Sequence, residues 1–367
     1  MKAEALSPTR LWEVLKACLP PQTRRLCVGY SGGIDSQVLL HALAVAHQAH
    51  DCAFPDDAIA LEAIHVHHGL HQQADAWVAH CQSFCAEYSI PLTICYATPS
   101  DFKTLSPEAA AREARYSAFK SQLSKNDVLV LGHHLDDQLE TLLQRLCRGT
   151  GVLGLSGMAV YQSDKWPFGV ARPLLGLQVD RASIEAYAVA ARLQWIEDDS
   201  NENERFDRNF VRHQIMPLLK SRWPKAALAA QRSAQLCREA ADFCQKQAEK
   251  DKASVRYVPA ATGSKPSCVT AEKNQKTEAE LTKMSVGESL SVKRLLTFPS
   301  YRRRDILRVW LQEKGFYSPS FAHLTRIERE ILGATKGGRP RLKIQDYVVG
   351  RWRDRLFIYR AMGPLIQ

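Results

Sequence analysis

Residues 26–43 read LCVGYSGGIDSQVLLHAL, and this stretch decides the fold. It begins with a β-rich apolar run and ends in an apolar helical pattern, with a short loop of serines and glycines between them. Glycines allow a tight turn that brings backbone N–H groups close to an anion, and the helix adds its positive N-terminal end. The pattern predicts a phosphate-binding loop made of Ser31, Gly32, Gly33, Ile34, Asp35 and Ser36.

The loop lacks the lysine of the Walker A motif, so it differs from the loop that usually holds a γ-phosphate. We expect Asp35 to act beside the phosphates through a bound Mg²⁺. Gly32 and Gly33 would also suit a simple tight turn between a strand and a helix. The four further specified positions of the string favour a phosphate site over that alternative.

The regions around this loop alternate β-rich runs with helical patterns, as a parallel sheet covered by helices does. The predicted strands are Leu26–Tyr30, Ile59–Val66, Leu92–Tyr96 and Val128–Gly132. The predicted helices are Ser36–His47, Ala74–Tyr88 and Ser106–Leu123. We therefore predict an α/β fold with a doubly wound parallel sheet, whose ligands lie outside the carboxyl ends of the strands.

Three carboxylates follow the fourth predicted strand, in the string GHHLDDQLET at residues 132–141. On a helix, Asp136 and Asp137 lie one turn from Glu140, so the three acids share a patch near the helix start. One acid is enough to stabilise a helix N-terminus, whereas three acids beside two histidines suit Mg²⁺ coordination and recognition of an ammonium group. We expect Asp136 to bind Mg²⁺ with Asp35, and Asp137 and Glu140 to be catalytic, one of them as a general base.

Two further groups of residues are candidates for the same edge of the sheet. Four histidines lie between residues 65 and 71, but no additional ligand stands at zinc-site spacing, so a nucleotide or substrate contact is favoured over a metal. Arg112, on the third predicted helix, could offer its guanidinium group to a phosphate or belong to a solvated charged face. We assign Arg112 to the catalytic residues.

The formal charge of +10 over 367 residues is concentrated in one part of the chain. Residues 1–220 have 20 Lys and Arg against 25 Asp and Glu, whereas residues 221–367 have 29 against 14. A mildly acidic part joined to a strongly basic one predicts a catalytic domain beside a domain that binds a polyanion such as a nucleic acid. A basic surface kept for solubility is the alternative.

The sequence contains neither a secretory h-region nor an apolar run of about 18 residues, so we expect no membrane partner. Its ten cysteines are scattered without a Cys-x-x-Cys pair, which indicates reduced thiols and a cytoplasmic protein. The sequence leaves both a monomer and a homodimer open.

The predicted domains are a catalytic domain at residues 1–220, a connecting helix at 221–255 and a smaller basic α+β domain at 256–367. A polar stretch near 259–283 reads as a flexible insertion. Residues 301–311 read as a basic amphipathic helix, and residues 337–359 alternate like short strands. We expect the helix to contact nucleic-acid phosphates through Arg302, Arg303 and Arg304.

The strings SGGIDS, GHHLDDQLET, ARPLL and RNFVRHQIMPLL, in this order, resemble the tRNA(Ile)-lysidine synthetase family over residues of about 24–220. The loop at residues 31–36 is similar to the PP-motif of N-type ATP pyrophosphatases, so the resemblance makes it an ATP site. The resemblance implies that ATP adenylates the wobble cytidine of a tRNA(Ile) with a CAU anticodon, and that free L-lysine then displaces AMP at C2. It also implies substrate binding by Arg205, Arg208, Asn209 and Arg212.

Two other functions stay open. A PP-loop tRNA cytidine thiolase would share the fold but use paired Cys-x-x-Cys motifs, which the sequence lacks. A non-catalytic RNA-binding protein of the same fold would not need the intact loop at 31–36 or the acids at 136–140. Longer members of the family carry a further C-terminal domain, which we do not expect in 367 residues.

Overall fold

A computed structural model describes residues 6–53, 59–67, 69, 73–97, 107–163, 166–197, 205–258, 288–315, 319–334, 338–344 and 346–360. By internal contacts the chain divides into two units, residues 1–238 and 239–367. Among the described residues, no helix is long and apolar enough to cross a membrane.

A six-stranded sheet forms the centre of the first unit. Its strands are β1 (Arg25–Gly29), β2 (Ala60–His67), β3 (Leu92–Tyr96), β4 (Asp127–Val130), β5 (Tyr161–Gln162) and β6 (Gly169–Ala171). Their order is β3-β2-β1-β4-β6-β5, and all neighbours are parallel except β5 and β6. Leu26 and Val28 belong to one buried cluster and Cys27 and Leu129 to another, so the sheet is covered on both faces.

Helices connect and flank these strands. They are α1 (Pro8–Cys18), α2 (Ile34–Ala53), α3 (Ala74–Glu87), α4 (Pro107–Gln122), α5 (Leu135–Cys147), α6 (Val152–Leu155), α7 (Pro173–Gly176) and α8 (Arg181–Ala190). A helical run follows, in which α9 (Asp207–Phe210), a π-helical turn (Val211–Ile215) and α10 (Met216–Arg222) join without a break. The long helix α11 spans Ala226–Ser254.

The strand order reverses between β1 and β4, and this reversal positions the site. The chain leaves β1 for a neighbour on one side, whereas β4 lies on the other side of β1. Such a switch point opens a crevice at the carboxyl ends of the two strands. The two loops there lie close together, because a Cβ built on Gly132 would be 3.0 Å from the backbone oxygen of Asp35.

The second unit has its own antiparallel sheet and core. Strands β7 (Leu290–Ser291), β8 (Arg341–Ile344), β9 (Tyr347–Trp352) and β10 (Arg355–Arg360) lie in the order β7-β10-β9-β8. The helical segments are α12 (Val292–Leu296), α13 (Ser300–Gln312), α14 (Phe321–Arg326) and a π-helical stretch (Ile327–Leu332). Trp310 of α13 is fully buried in this core, and its Nε1 donates to the carbonyl of Glu288.

The predicted fold class is confirmed. All four predicted strands and all three predicted helices of the first unit are present, with ends that differ by up to six residues, and the basic helix and the late strands of the second unit are present too. The short strands β5 and β6 were not predicted. The predicted insertion near 259–283 lies outside the described residues.

Candidate active site

The loop after β1 is folded on itself by its two serines. Ser31 Oγ and Ser36 Oγ are 3.1 Å apart, and Ser36 Oγ donates to the carbonyl oxygen of Gly33 at 2.9 Å. Gly32 has a φ of +83°, and a Cβ there would come within 2.4 Å of Ile196 Cδ1, so this position requires glycine. A Cβ on Gly33 would meet no atom closer than 3.6 Å, so a side chain could be accommodated at this second glycine.

Asp35 stands in the first turn of α2, next to the buried Ile34. Its Oδ1 accepts from Arg181 Nη1 at 3.1 Å, and His134 Nε2 lies 3.6 Å from the same oxygen. Burial raises the pKa of Asp35, and the nearby His134 and Arg181 offset this only in part. A desolvated carboxylate of this kind is stabilised when a further cation approaches.

His134 and Asp137 cap helix α5. The backbone N–H of His134 donates to Asp137 Oδ2 at 3.0 Å, and the N–H of Asp136 donates to His134 Nδ1 at 3.2 Å. The other oxygen of Asp137, Oδ1, accepts from Arg208 Nη2 at 2.5 Å. Although burial opposes the charge, His134 and Arg208 hold the pKa of Asp137 well below its usual range. Asp137 therefore caps helix α5 with one oxygen and binds Arg208 with the other.

Glu140 forms the centre of an ion-pair cluster. Arg208 Nε donates to its Oε2 at 2.8 Å, and Arg212 Nε donates to its Oε1 at 2.7 Å. Only 2% of the Glu140 side chain is exposed, against 30% and 33% of the two arginine side chains. With Asp137, two acids face two guanidinium groups, so the buried charges are balanced.

Asp136 has separate partners. Its Oδ2 accepts from the backbone N–H of Arg181 at 2.8 Å, and its Oδ1 forms an ion pair with Lys220 Nζ. Oδ2 of this buried carboxylate is therefore hydrogen-bonded, whereas Oδ1 has the ion pair and no hydrogen bond. No pattern in the sequence marks Arg181 or Lys220, because each is an isolated basic residue that only the fold brings to an acid.

Arg112 is exposed on α4, with its guanidinium carbon 5.1 Å from the centre of the Tyr116 ring. Its positive charge contributes to lowering the pKa of both His133 and Arg172, so it lies near the end of β4. At the start of the helical run that begins with α9, Asn209 is buried beside Arg208, and Arg205 is exposed just before α9. The acidic and polar residues 198–201, which precede this segment, lie outside the described residues.

The structure thus joins Asp35, Asp137 and Glu140 in one network with Arg208 and Arg212. Asp136 is connected to Asp35 through Arg181. Arg112 approaches this network without an ion pair to any carboxylate among the residues that the structure describes.

The three arginines of the second unit that were predicted to contact nucleic-acid phosphates have acidic partners. Arg302 binds Asp251 through two hydrogen bonds, of 2.9 and 2.6 Å. Arg303 Nε and Arg304 Nη1 bind Glu328 at 2.9 and 3.0 Å. Their contact with RNA stays a prediction, but their guanidinium groups already hold carboxylates.

The residues around Asp35 fit a Mg²⁺ ion that is completed by a ligand. Within the described part of the chain, no group of three or more His, Cys, Asp or Glu residues could hold a metal alone. Protein-bound Mg²⁺ commonly uses only one or two carboxylates together with substrate phosphates. Asp35 suits that arrangement better than Asp136, because it lies beside the phosphate loop and 31% of its side chain is exposed, against 6% for Asp136.

Comparisons with known proteins agree with this geometry. The family model of the PP-loop domain matches residues 7–219, and that of the TilS substrate binding domain matches residues 290–357. The tRNA(Ile)-lysidine synthase of Serratia proteamaculans (strain 568) is 39% identical over 93% of this chain and 70% of its own length. That of Yersinia pseudotuberculosis (serotype O:1b) is 39% identical over 94% and 68%.

A solved structure, the U34-tRNA thiolase NcsA of Methanococcus maripaludis, has a TM-score of 0.50 and 19% identity over 63% of this chain and 78% of its own. That likeness is evidence for the fold alone. Fold, loop and family model together define a PP-loop, ATP-binding protein. The chain belongs to the tRNA(Ile)-lysidine synthase family. The family predicted from the sequence is confirmed, and neither the thiolase nor the non-catalytic alternative is favoured.

Proposed function

We propose that this chain joins lysine to C2 of the wobble cytidine of a tRNA(Ile) with a CAU anticodon, with release of AMP and pyrophosphate. The observation that supports it is the position of the phosphate loop beside the Asp137–Glu140–Arg208–Arg212 cluster at one end of the sheet. A phosphate loop alone would suit any ATP-cleaving enzyme of this class. The cluster adds carboxylates that could receive an ammonium group next to it.

In the first step, the cytidine O2 attacks the α-phosphorus of ATP and pyrophosphate leaves. We assign the donors of residues 31–36 to the β- and γ-phosphates and Arg112 to the α-phosphate. Asp35 would hold Mg²⁺, which neutralises charge on the phosphates when bound. Asp136 stays the second metal candidate, although Lys220 and Arg181 occupy its oxygens.

In the second step, the lysine ε-amine attacks C2 and AMP leaves. The ammonium group must first lose a proton. Because its pKa is held low, Asp137 suits binding the ammonium better than accepting the proton. We therefore assign orientation to Asp137 and proton acceptance to Glu140. Arg208 or Arg212 must then give way as lysine enters, and their partial exposure leaves them room to do so.

For the tRNA, we propose a surface on the small sheet that we call the β8–β10 face. Arg341 and Lys343 alternate with buried Leu342 and Ile344, so both cations point away from the core. Neither forms an ion pair with a carboxylate that the structure describes, in contrast to residues 302–304. This makes them better candidates for phosphate contacts than the ion-paired arginines of α13.

Aromatic side chains share this β8–β10 face. The strand register places Lys343 beside Val348 and then Tyr359, and Arg341 beside Gly350 and then Phe357. Trp352, Phe357 and the partly buried Tyr359 form a cluster separate from the main core of the unit. Cations beside the partly exposed ring of Tyr359 match two features of RNA, its phosphates and its stacking bases, whereas Trp352 and Phe357 are buried.

The substrate assignment is tested with purified protein, ATP, Mg²⁺ and labelled lysine. Label should be attached to a tRNA(Ile) transcript with a CAU anticodon, and not to one with uridine at the wobble position. Uracil has a carbonyl at C4 and a proton at N3, so it cannot form the amidinium-like adenylate that the N4 amine of cytosine supports. Adenylation of the uridine transcript should therefore fail at the first step.

The other outcomes are distinct. Labelling that needs a sulfur donor in place of lysine would favour the thiolase function. Binding of tRNA without incorporation of either donor would favour a non-catalytic RNA-binding protein. A cytoplasmic location and free L-lysine as the donor are parts of the same proposal, and no step requires a second copy of the chain.

A further inference from the structure

Arg172 reaches the site from the end of β6 and binds the ring of His133. Its Nε donates to His133 Nδ1 at 3.3 Å, and its Nη1 donates to the carbonyl oxygen of Ala159 at 2.9 Å. Only 6% of Arg172 is exposed. A guanidinium group has N–H donors and no acceptor, so Nδ1 of His133 must be the acceptor in this hydrogen bond.

The acceptor role of Nδ1 fixes where the proton of His133 lies. Burial and the positive charges of Arg172, Arg208 and Arg112 lower the pKa of His133 to about 3, against the opposing effect of Asp137. The ring is therefore neutral at physiological pH and carries one proton. Since Nδ1 accepts, that proton is on Nε2. The ring is half-buried, and Nε2 makes no hydrogen bond to a residue that the structure describes.

We propose that Arg172 is a positioning residue that holds His133 as a neutral Nε2–H donor to a phosphoryl oxygen of the substrate. The inference rests on the proposed function, in which an adenylyl group is transferred beside these residues. The charges around His133 favour an anionic oxygen, because the three guanidinium groups of Arg112, Arg172 and Arg208 outnumber the one carboxylate of Asp137. A neutral imidazole adds a donor there without adding repulsion to the guanidinium groups.

Substitutions at His133 separate its two ring nitrogens. The amide nitrogen of His133→Gln lies near the position of Nε2, whereas that of His133→Asn lies near Nδ1. We expect His133→Gln to keep adenylation within about tenfold of the wild-type rate, and His133→Asn and His133→Ala to lose about 10²-fold, as after removal of a donor to a developing oxyanion. The KM for ATP should change less than the rate, because the contact strengthens during transfer.

Substitutions at Arg172 also remove its contacts with Tyr116 and with the loop around Ala159, and the loop contact needs a control. Arg145 supplies it, because its Nη1 donates to the carbonyls of Gly154 and Gly157, at 2.7 and 3.2 Å, in the same loop. Arg172→Met should lose adenylation as His133→Ala does, and Arg172→Gln, which keeps a donor toward Nδ1, should lose less. Arg145→Met should keep most of the activity. Equal losses for Arg145→Met and Arg172→Met would show loop support alone and overturn the inference.

The tautomer is read directly by ¹⁵N NMR of protein labelled at histidine, with His133→Gln to assign the signal. His133 should show a protonated Nε2 and an unprotonated Nδ1, and Arg172→Met should lose this pattern while Arg145→Met keeps it. A proton on Nδ1 in the wild type, or His133→Gln no better than His133→Ala, would overturn the inference. If the tautomer is as expected but no adenylation occurs with any tRNA, the proposed function fails and the positioning by Arg172 stands.

Discussion

Asp35→Asn is expected to separate activity from stability. The folded protein keeps a carboxylate that burial destabilises, as its raised pKa indicates. The asparagine amide fills the same space without the charge. We therefore expect the fold to be kept, whereas adenylation of tRNA, which uses a negative charge beside the phosphates to hold Mg²⁺, should fall.

The two effects differ in size. Loss of the metal-holding charge should lower adenylation by about 10²-fold, which is about 2.7 kcal/mol. The ion pair that is lost, between Arg181 and Asp35, has side chains that are 40% and 31% exposed. Such a pair contributes at most about 1 kcal/mol, and Arg181 keeps its contact with Glu185 at 2.8 Å. The free energy of unfolding should therefore change by no more than about 1 kcal/mol.

The sign of the stability change depends on pH. The pKa of Asp35 is higher in the folded than in the unfolded state, so its charge destabilises the fold at neutral pH. As the pH falls through the folded pKa toward 3.8, the ordinary pKa of a free aspartate side chain, both states become protonated and the penalty disappears. Any stability that Asp35→Asn gains at pH 7 should shrink on acidification.

The assay combines tRNA-dependent pyrophosphate release with urea unfolding. Asp127→Asn is the matched control, because Asp127 lies at the opposite end of the sheet, where it binds Arg25 Nη2 and the N–H of Ser124 at 2.8 and 2.7 Å. Those hydrogen bonds lower the pKa of Asp127 despite its burial. Asp127→Asn should therefore lose about 2–3 kcal/mol of stability, whereas the activity of each folded molecule should be unchanged. Near-normal pyrophosphate release by Asp35→Asn would refute the reasoning.

Three further outcomes are expected. The double variant Arg341→Ala with Lys343→Ala should weaken tRNA binding and lower by about 2 the slope of log affinity against log salt concentration. The control pair Arg326→Ala with Arg329→Ala, whose charges face Glu330, should change neither. Equal slopes for the two double variants would place the RNA elsewhere. Replacing residues 302–304 by alanine should lower stability in urea, since Asp251 and Glu328 lose their partners. A loss of tRNA affinity without a loss of stability would instead support these arginines as RNA contacts. Glu140→Gln should lose about 2–3 kcal/mol because two guanidinium groups lose their carboxylate, and an unchanged urea midpoint would contradict the cluster.

The features that could be predicted from the sequence are local ones. Apolar runs and the Ser-Gly-Gly string mark β1 and its loop, because periodicity and glycine act within a few residues. In a parallel sheet, a strand's carboxyl end then places the following residues at one edge. This is how Asp35 and Asp137 could be expected near one another, although 102 residues separate them.

The pairing of charges could not be predicted in this way. Arg208 reaches Glu140 across 68 positions of sequence, and Arg181 reaches Asp35 across 146. The run at residues 302–304 looks like a solvated basic face, because its acidic partners come from other helices. Composition counts charges without saying which are already neutralised, so the basic excess of the second unit did not identify its unpaired cations.

In the helical run from Asp207 to Arg222, the π-helical turn at Val211–Ile215 makes the number of residues as important as their identity. A π-turn amounts to one residue inserted into an α-helix, and each residue advances a helix by about 100°. Removal of one residue between Arg208 and Lys220 would restore regular α-helical hydrogen bonds and rotate everything downstream by about that angle. Lys220 would then turn away from Asp136 while Arg208 kept its place. The segment should accept substitutions at its exposed positions far more readily than it accepts any insertion or deletion.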